Sequence, residues 1–161
     1  MHWHAYTWIG SGEEREREEE RRPGSPEFAT SSVPPMRTGD WLAKPASRIA
    51  ATFDDPDEAV EWLASRYGTV RKAFLHPDRV GRRARLDGAA DALPRGVDVQ
   101  WGEWLTGGRF VTMGVICCPN RHTAHPCPVR RPASARLPRT SPTATPSTAG
   151  RATPSSRSRH A

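Results

Sequence analysis

The chain predicts a small α+β domain, in which a capped amphipathic helix packs on a β-hairpin or small antiparallel sheet and disordered tails flank the unit. Three features carry this expectation: a helix start signal at Asp55, a strand–turn–strand pattern from Val97 to Cys118, and low-complexity composition outside the central segment. With 161 residues, 16 prolines, 35% hydrophobic residues and a mean hydropathy of -0.72, only part of the chain can pack. The domain is expected over residues 38–130, between a charged and Pro/Ser-rich leader over 1–37 and a basic Ser/Thr/Pro tail over 131–161. A unit of that size buries only about 60% of the surface its unfolded chain exposes, so a metal, a partner or self-association matters more to it than to a larger protein.

The helix is the clearest element. Asp55 can cap it, Pro56 fits the first helical position, and Glu58 completes an Asp-x-x-Glu capping pattern. Ala59, Val60, Trp62, Leu63 and Tyr67 line one face, Glu58, Glu61, Ser65 and Arg66 line the other, and Gly68 supplies a stop. Ahead of it, Ser47 to Phe53 reads as a short helix with Ile49 and Phe53 facing inward. Beyond it, Val70, Ala73 and Phe74 suit one more turn ending before Pro77.

The hairpin follows. Val97, Val99 and Trp101 alternate with Asp98 and Gln100, the period of a half-buried strand, and the phase slips at Gly102, which predicts a bulge. Thr106, Gly107 and Gly108 provide the turn, and Arg109 to Cys118 returns with β-branched and aromatic bias. Apolar residues at both parities of this return strand place it centrally, with both faces covered.

Charge is unevenly spread. Residues 1–35 hold 4 basic and 7 acidic groups, residues 36–116 hold 12 and 11, and residues 117–161 hold 8 basic groups and no acidic one. The net charge of +6 thus belongs to the C-terminal segment, where nucleic acid is the partner it suits, while the domain is close to neutral. Near the start, Trp3, Tyr6 and Trp8 with His2 and His4 form an aromatic patch too short to fold alone, and Glu13 to Arg22 reads as a solvated helix with favourable Glu13–Arg17 and Glu18–Arg22 spacings. Met1 to Gly10 lack a basic n-region and a sustained apolar stretch, and no run approaches the length of a membrane span; a cytoplasmic protein without membrane contact is expected.

All three cysteines fall in one short segment with two histidines: Cys117, Cys118, His122, His125 and Cys127. Thiolates and imidazoles suit zinc, and four of the five, such as Cys118, His122, His125 and Cys127, can converge on one ion from a loop. The spacing C-C-x3-H-x2-H-x-C follows no standard zinc pattern, so other readings stand beside it. In one, Cys117 or Cys118 points into the core and the histidines are exposed; in another, Cys118 and Cys127 pair as a disulfide. A third makes a cysteine a nucleophile with His122 or His125 as base, which requires a lowered thiol pKa and an orienting group.

Arg79, Arg82, Arg83 and Arg85 form the densest basic patch of the domain and are the candidate phosphate contacts, against a reading as a solvated charged segment flanked by Asp78 and Asp87. The sequence His76-Pro77-Asp78, preceded by Arg71 and Lys72, resembles the loop tripeptide of J-domain co-chaperones, a resemblance of about a dozen residues that implies contact with a partner chaperone. Gly68 interrupts the helix that leads into that motif, and the segment after Asp78 lacks the aromatic and Leu pattern of such domains, so Pro77 also reads as a helix terminator before a turn. Trp41, Trp62, Trp101, Trp104 and Phe110 are simplest as core residues, whereas an exposed Trp101 and Trp104 pair would mark a binding face.

No glycine-rich phosphate loop, G-x-S-x-G or H-E-x-x-H pattern occurs, and Asp54 and Asp55 are explained by capping. The expected function is therefore a non-enzymatic interaction module acting on a protein partner or on itself. The alternative is a zinc-stabilised nucleic-acid-binding protein using the Cys/His loop and the basic tail.

Overall fold

The computed structural model describes residues 1–79 and 81–129, so the tail expected over 131–161 lies outside the described residues. In chain order the main elements are β1 (His2–Ser11), α1 (Gly12–Arg15), β2 (Ala51–Phe53), α2 (Pro56–Val70), α3 (Arg82–Ala92), β3 (Val99–Leu105) and β4 (Arg109–Cys118). The four strands form one antiparallel sheet in the order β2-β1-β4-β3, with helices packed on it, so the α+β class read from the sequence holds. Among the described residues no helix is long and apolar enough to cross a membrane.

β4 is the centre of the sheet because its apolar residues occupy both faces. Every residue from Phe110 to Cys118 is buried, and each edge of the strand has a partner. One partner is the expected β3. The other is β1, which pairs with β4 along its whole length, from His2 opposite Cys118 to Ser11 opposite Arg109. The leader assigned to 1–37 is corrected here: its residues His2–Ser11 supply an inner strand, and Phe28 and Val33 are buried. The strand was hidden because both faces of its first half, residues 2–6, are covered. His2, His4, Tyr6 and Trp8 face one side and Trp3 and Ala5 the other, so polarity does not alternate.

Three local expectations also change. β3 pairs with β4 in unbroken register from Val99 opposite Val115 to Leu105 opposite Arg109, so there is no bulge at Gly102. A Cβ at Gly102 would lie 2.7 Å from the Phe110 ring, which explains the glycine by close approach. Ser47 to Phe53 is not a helix; a 3-10 turn, Ala46–Arg48, leads into β2, which pairs with the outer edge of β1. α2 runs through Gly68 to Val70, its penalty of about 1 kcal/mol relative to Ala outweighed by the burial of Ala59, Leu63 and Tyr67. The Asp55 cap is present and accepts from the Asp57 amide.

One face of the sheet meets the helices. Trp3, Ala5, Trp101, Val111, Met113, Val115 and Cys117 pack with Leu63 and Tyr67 of α2, Ala89 of α3, and Leu93. Between α3 and β3, Arg85 and Glu103 form a largely buried ion pair, with the guanidinium over the Tyr67 and Trp101 rings. The other face is covered by irregular chain: Tyr6, Trp8, Phe110, Ile116 and Cys118 pack with Val33, Trp41, Leu42, Ile49 and Cys127. The Tyr6 and Trp41 rings stack at 4.8 Å, and Trp41 Nε1 donates to Gln100 Oε1 at 2.7 Å.

Lys44 secures this cover. It is 2% exposed, and its Nζ donates to the carbonyls of Phe28 at 2.6 Å, Ser31 at 3.0 Å and Glu20 at 3.3 Å, with the Phe28 ring 3.9 Å away. Three ammonium hydrogens meet three acceptors, which is how a buried cation is tolerated. Part of the segment Glu13 to Arg22 is thereby fixed to the domain. It forms α1 and a 3-10 turn, Glu18–Arg21, with Arg22 and Glu18 paired at 2.7 Å.

Replacing Lys44 by Met strands those carbonyls and is expected to lower the unfolding free energy by about 2–4 kcal/mol. Burial pushes the Lys44 amine from 10.5 down to about 8. Below about 8 the native amine is charged and bears the penalty of its burial; between about 8 and 10.5 only the unfolded chain binds the proton, so that penalty is relieved and stability rises with pH across this window. Urea unfolding at about pH 7 and about pH 10 should therefore show the gap between wild type and K44M widening at the higher pH. Equal stability of the two proteins at both pH values would refute the cage.

Candidate metal centre

His2 and His4 lie on one face of β1 because side chains two apart in a strand share a face. Directly across from His2 in the register stands Cys118 of β4, and Cys127 arrives from the loop beyond β4. One ligand atom from each of these four residues lies within 4.8 Å of the others. His4 and Cys118 are buried, and His2 and Cys127 are half-buried.

Several contacts carry Cys127 to this position. Asp98 accepts from the Cys117 amide at 2.9 Å and from Asn120 Nδ2 at 2.8 and 2.9 Å, which fixes the start of the loop. Arg37 donates to the His122 carbonyl at 3.3 Å, and His125 Nε2 meets the buried carboxylate of Asp40 at 2.9 Å. Gly39 allows the loop to lie close, since a Cβ there would be 2.8 Å from the Thr123 methyl. Two residues after His125, Cys127 stands over the histidines of β1.

Three of the four donors, those of His2, His4 and Cys127, have the spacing of one ion's ligands. Tetrahedral zinc, with bonds of about 2.0–2.1 Å to nitrogen and about 2.3 Å to sulfur, separates two nitrogens by about 3.3 Å and nitrogen from sulfur by about 3.5 Å. The Nε2 atoms of His2 and His4 are 3.1 Å apart, and Cys127 Sγ is 3.4 Å from each. Orientation fits as well. His4 Nδ1 lies 2.9 Å from Thr52 Oγ1 of β2, its cross-strand neighbour, so a proton on Nδ1 leaves Nε2 as the lone-pair donor.

Burial, with His2 nearby, pushes the His4 imidazole down to about 4, and burial with Cys127 pushes the Cys118 thiol up to about 12. The pocket thus favours neutral imidazole and neutral thiol when only protons compete. A divalent cation reverses that preference at sulfur by binding thiolate. Tyr6, two residues along the same face, has a buried hydroxyl with no hydrogen-bond partner among the described residues, and burial, with Cys118 and Cys127, shifts its pKa upward.

The five residues singled out in the sequence divide. Cys118 and Cys127 join the cluster as free thiols, which sets aside their disulfide. Cys117 faces the helical core, His122 is exposed, and His125 is engaged by Asp40, so these three are not ligands of this cluster. The nucleophile reading loses support as well: His122 is exposed, His125 is taken by Asp40, and burial, with Asp98, raises Cys117 to about 12, with Cys118 raised too, the opposite of activation. His2 and His4 were missed as ligands. Their signal was the His-x-His spacing, which in a strand puts two imidazoles side by side.

The arginine patch also divides. Arg85 is spent on Glu103, Arg83 lies 3.7 Å from Asp87, and Arg79 and Arg82 are exposed. His76, Pro77 and Asp78 occupy a turn between α2 and α3 beside a four-stranded sheet, an architecture unlike the helical setting the tripeptide resembles. Trp101 is buried and Trp104 is 42% exposed, so the two tryptophans do not form a single face.

In chelator-treated protein, alkylation is expected to modify Cys127 first and Cys117 only on unfolding, as read by peptide mass; equal rates at the two sites would contradict this placement. Compared with protein-family profiles, curated proteins and solved structures, the chain matches none.

Proposed function

We propose that the chain is a small non-enzymatic interaction module whose sheet and loop cover are pinned together by one zinc ion bound to His2, His4, Cys118 and Cys127. The observation that carries this reading is the convergence of two imidazole nitrogens and two thiols within 4.8 Å. Four protein donors complete the usual coordination of structural zinc and leave no open position for a substrate. The ion joins β1, β4 and the loop after β4, which is where a small domain gains most from a cross-link.

The partner it suits is a protein. At the end of β3, Trp104 is 42% exposed and Leu75 is 52% exposed, and the Leu75 amide donates to the Trp104 carbonyl at 2.8 Å. Two exposed apolar residues joined through their backbones at an edge strand offer an apolar contact point. The ion pairs of Arg83 and Arg85 weigh against a phosphate-binding surface on α3.

Purified protein should carry about one equivalent of zinc and unfold at lower temperature after chelation. Cobalt substitution should give the intense visible bands of tetrahedral coordination with thiolate charge transfer. H4Q and C127S should abolish stoichiometric binding, whereas H122A should retain it. Zinc-free protein with unchanged melting, or loss of zinc in H122A, would refute the assignment.

A further inference from the structure

We propose that a second site, a cationic cavity between the 3-10 cover and the loop after β4, binds a small organic phosphate. The cavity is about 470 Å³ and is lined by Arg21, Arg22, Arg37, Met36, His122 and His125, among others. Its volume falls in the range of small-molecule sites, about 300–1,000 Å³, and exceeds what a bare phosphate fills. It is a different site from the metal cluster, although the same loop contributes to both.

The arginines converge from two segments. Arg21 and Arg22 close the 3-10 turn Glu18–Arg21, and Met36 and Arg37 lie beside them because the Met36 amide donates to the Arg21 carbonyl at 3.1 Å. Arg21 is half-buried and anchored: Nε donates to the Pro34 carbonyl at 2.9 Å, and one terminal nitrogen donates to the Arg15 carbonyl at 2.9 Å. Both acceptors are neutral, and no carboxylate pairs with Arg21 among the described residues. Burial and the charge of Arg15 lower its pKa, against a smaller upward pull from Glu18. A half-buried guanidinium with no carboxylate in ion-pair contact leaves room for an incoming anion.

Among the remaining lining residues, Arg37 points the same way. Arg37 has no carboxylate partner among the described residues; its one hydrogen bond there is to the His122 carbonyl. Arg22 is held by Glu18 at 2.7 Å in an exposed pair. The acidic lining residue, Asp40, is engaged by His125 at 2.9 Å. Planar guanidinium groups match phosphate oxygens in pairs, and Met36, 45% exposed, supplies an apolar platform for the organic body.

The test uses the full chain loaded with zinc and titrated with inorganic phosphate, adenosine monophosphate and adenosine at low salt. Calorimetry should show the nucleotide binding more tightly than phosphate, with adenosine silent. R37E, or R37Q should R37E fold poorly, should weaken nucleotide binding about ten-fold or more at unchanged zinc content. Unchanged nucleotide affinity in a folded Arg37 variant would overturn the site, placing any binding on the basic tail. Absence of binding by both phosphate compounds to folded, zinc-loaded wild type would also overturn it. Because zinc content is measured in the same samples, failure of the metal assignment would be distinguished from failure of this one.

Discussion

The pairing of β1 with β4 is the constraint on which the rest of the structure depends. It joins residues about a hundred positions apart in full register, and it creates two interior faces at once. On one face Trp3 and Ala5 complete the floor beneath α2; on the other Tyr6 and Trp8 complete the floor beneath Trp41 and Leu42. The same register sets His2 opposite Cys118. A one-residue slip would turn His2 and His4 into the helical core and Trp3 toward the loop cover, destroying packing and donor set together. Such distant pairing also raises the contact order, which slows folding.

Elements encoded by neighbouring residues were legible in the sequence. The Asp55–Pro56 start and the spacing of Ala59, Leu63 and Tyr67 defined α2, and the apolar residues at both parities of β4 announced its central position. Gly68 misled because an isolated glycine is a weak stop when the residues around it are packed. β1 was obscured for a different reason. A strand covered on both faces has no polar side, and one rich in His, Thr and Trp does not look like the aliphatic run such burial usually produces.

The candidate centre was half legible for a related reason. Cys118 and Cys127 stood out because they are close in sequence, and proximity drew His122 and His125 into the same set. The fold instead brings His2 and His4 to Cys118 and Cys127 from a strand more than a hundred residues away. Neither His2 nor His4 carries a local mark of its partner until β1 is placed beside β4. Likewise Arg82, Arg83 and Arg85 form a patch only in one dimension. The helix and the sheet send Arg85 inward to Glu103 and leave Arg82 outside.

The cage around Lys44 has a further consequence for how this chain can vary. It grips the cover through the main-chain oxygens of Glu20, Phe28 and Ser31, and every residue type offers that oxygen. This grip therefore depends on the path of the cover and not on which side chains those three positions carry. Within the run of Glu and Arg, exposed positions such as Glu16 and Glu19 can be rewritten with little loosening, whereas Arg21 holds the turn through its side chain.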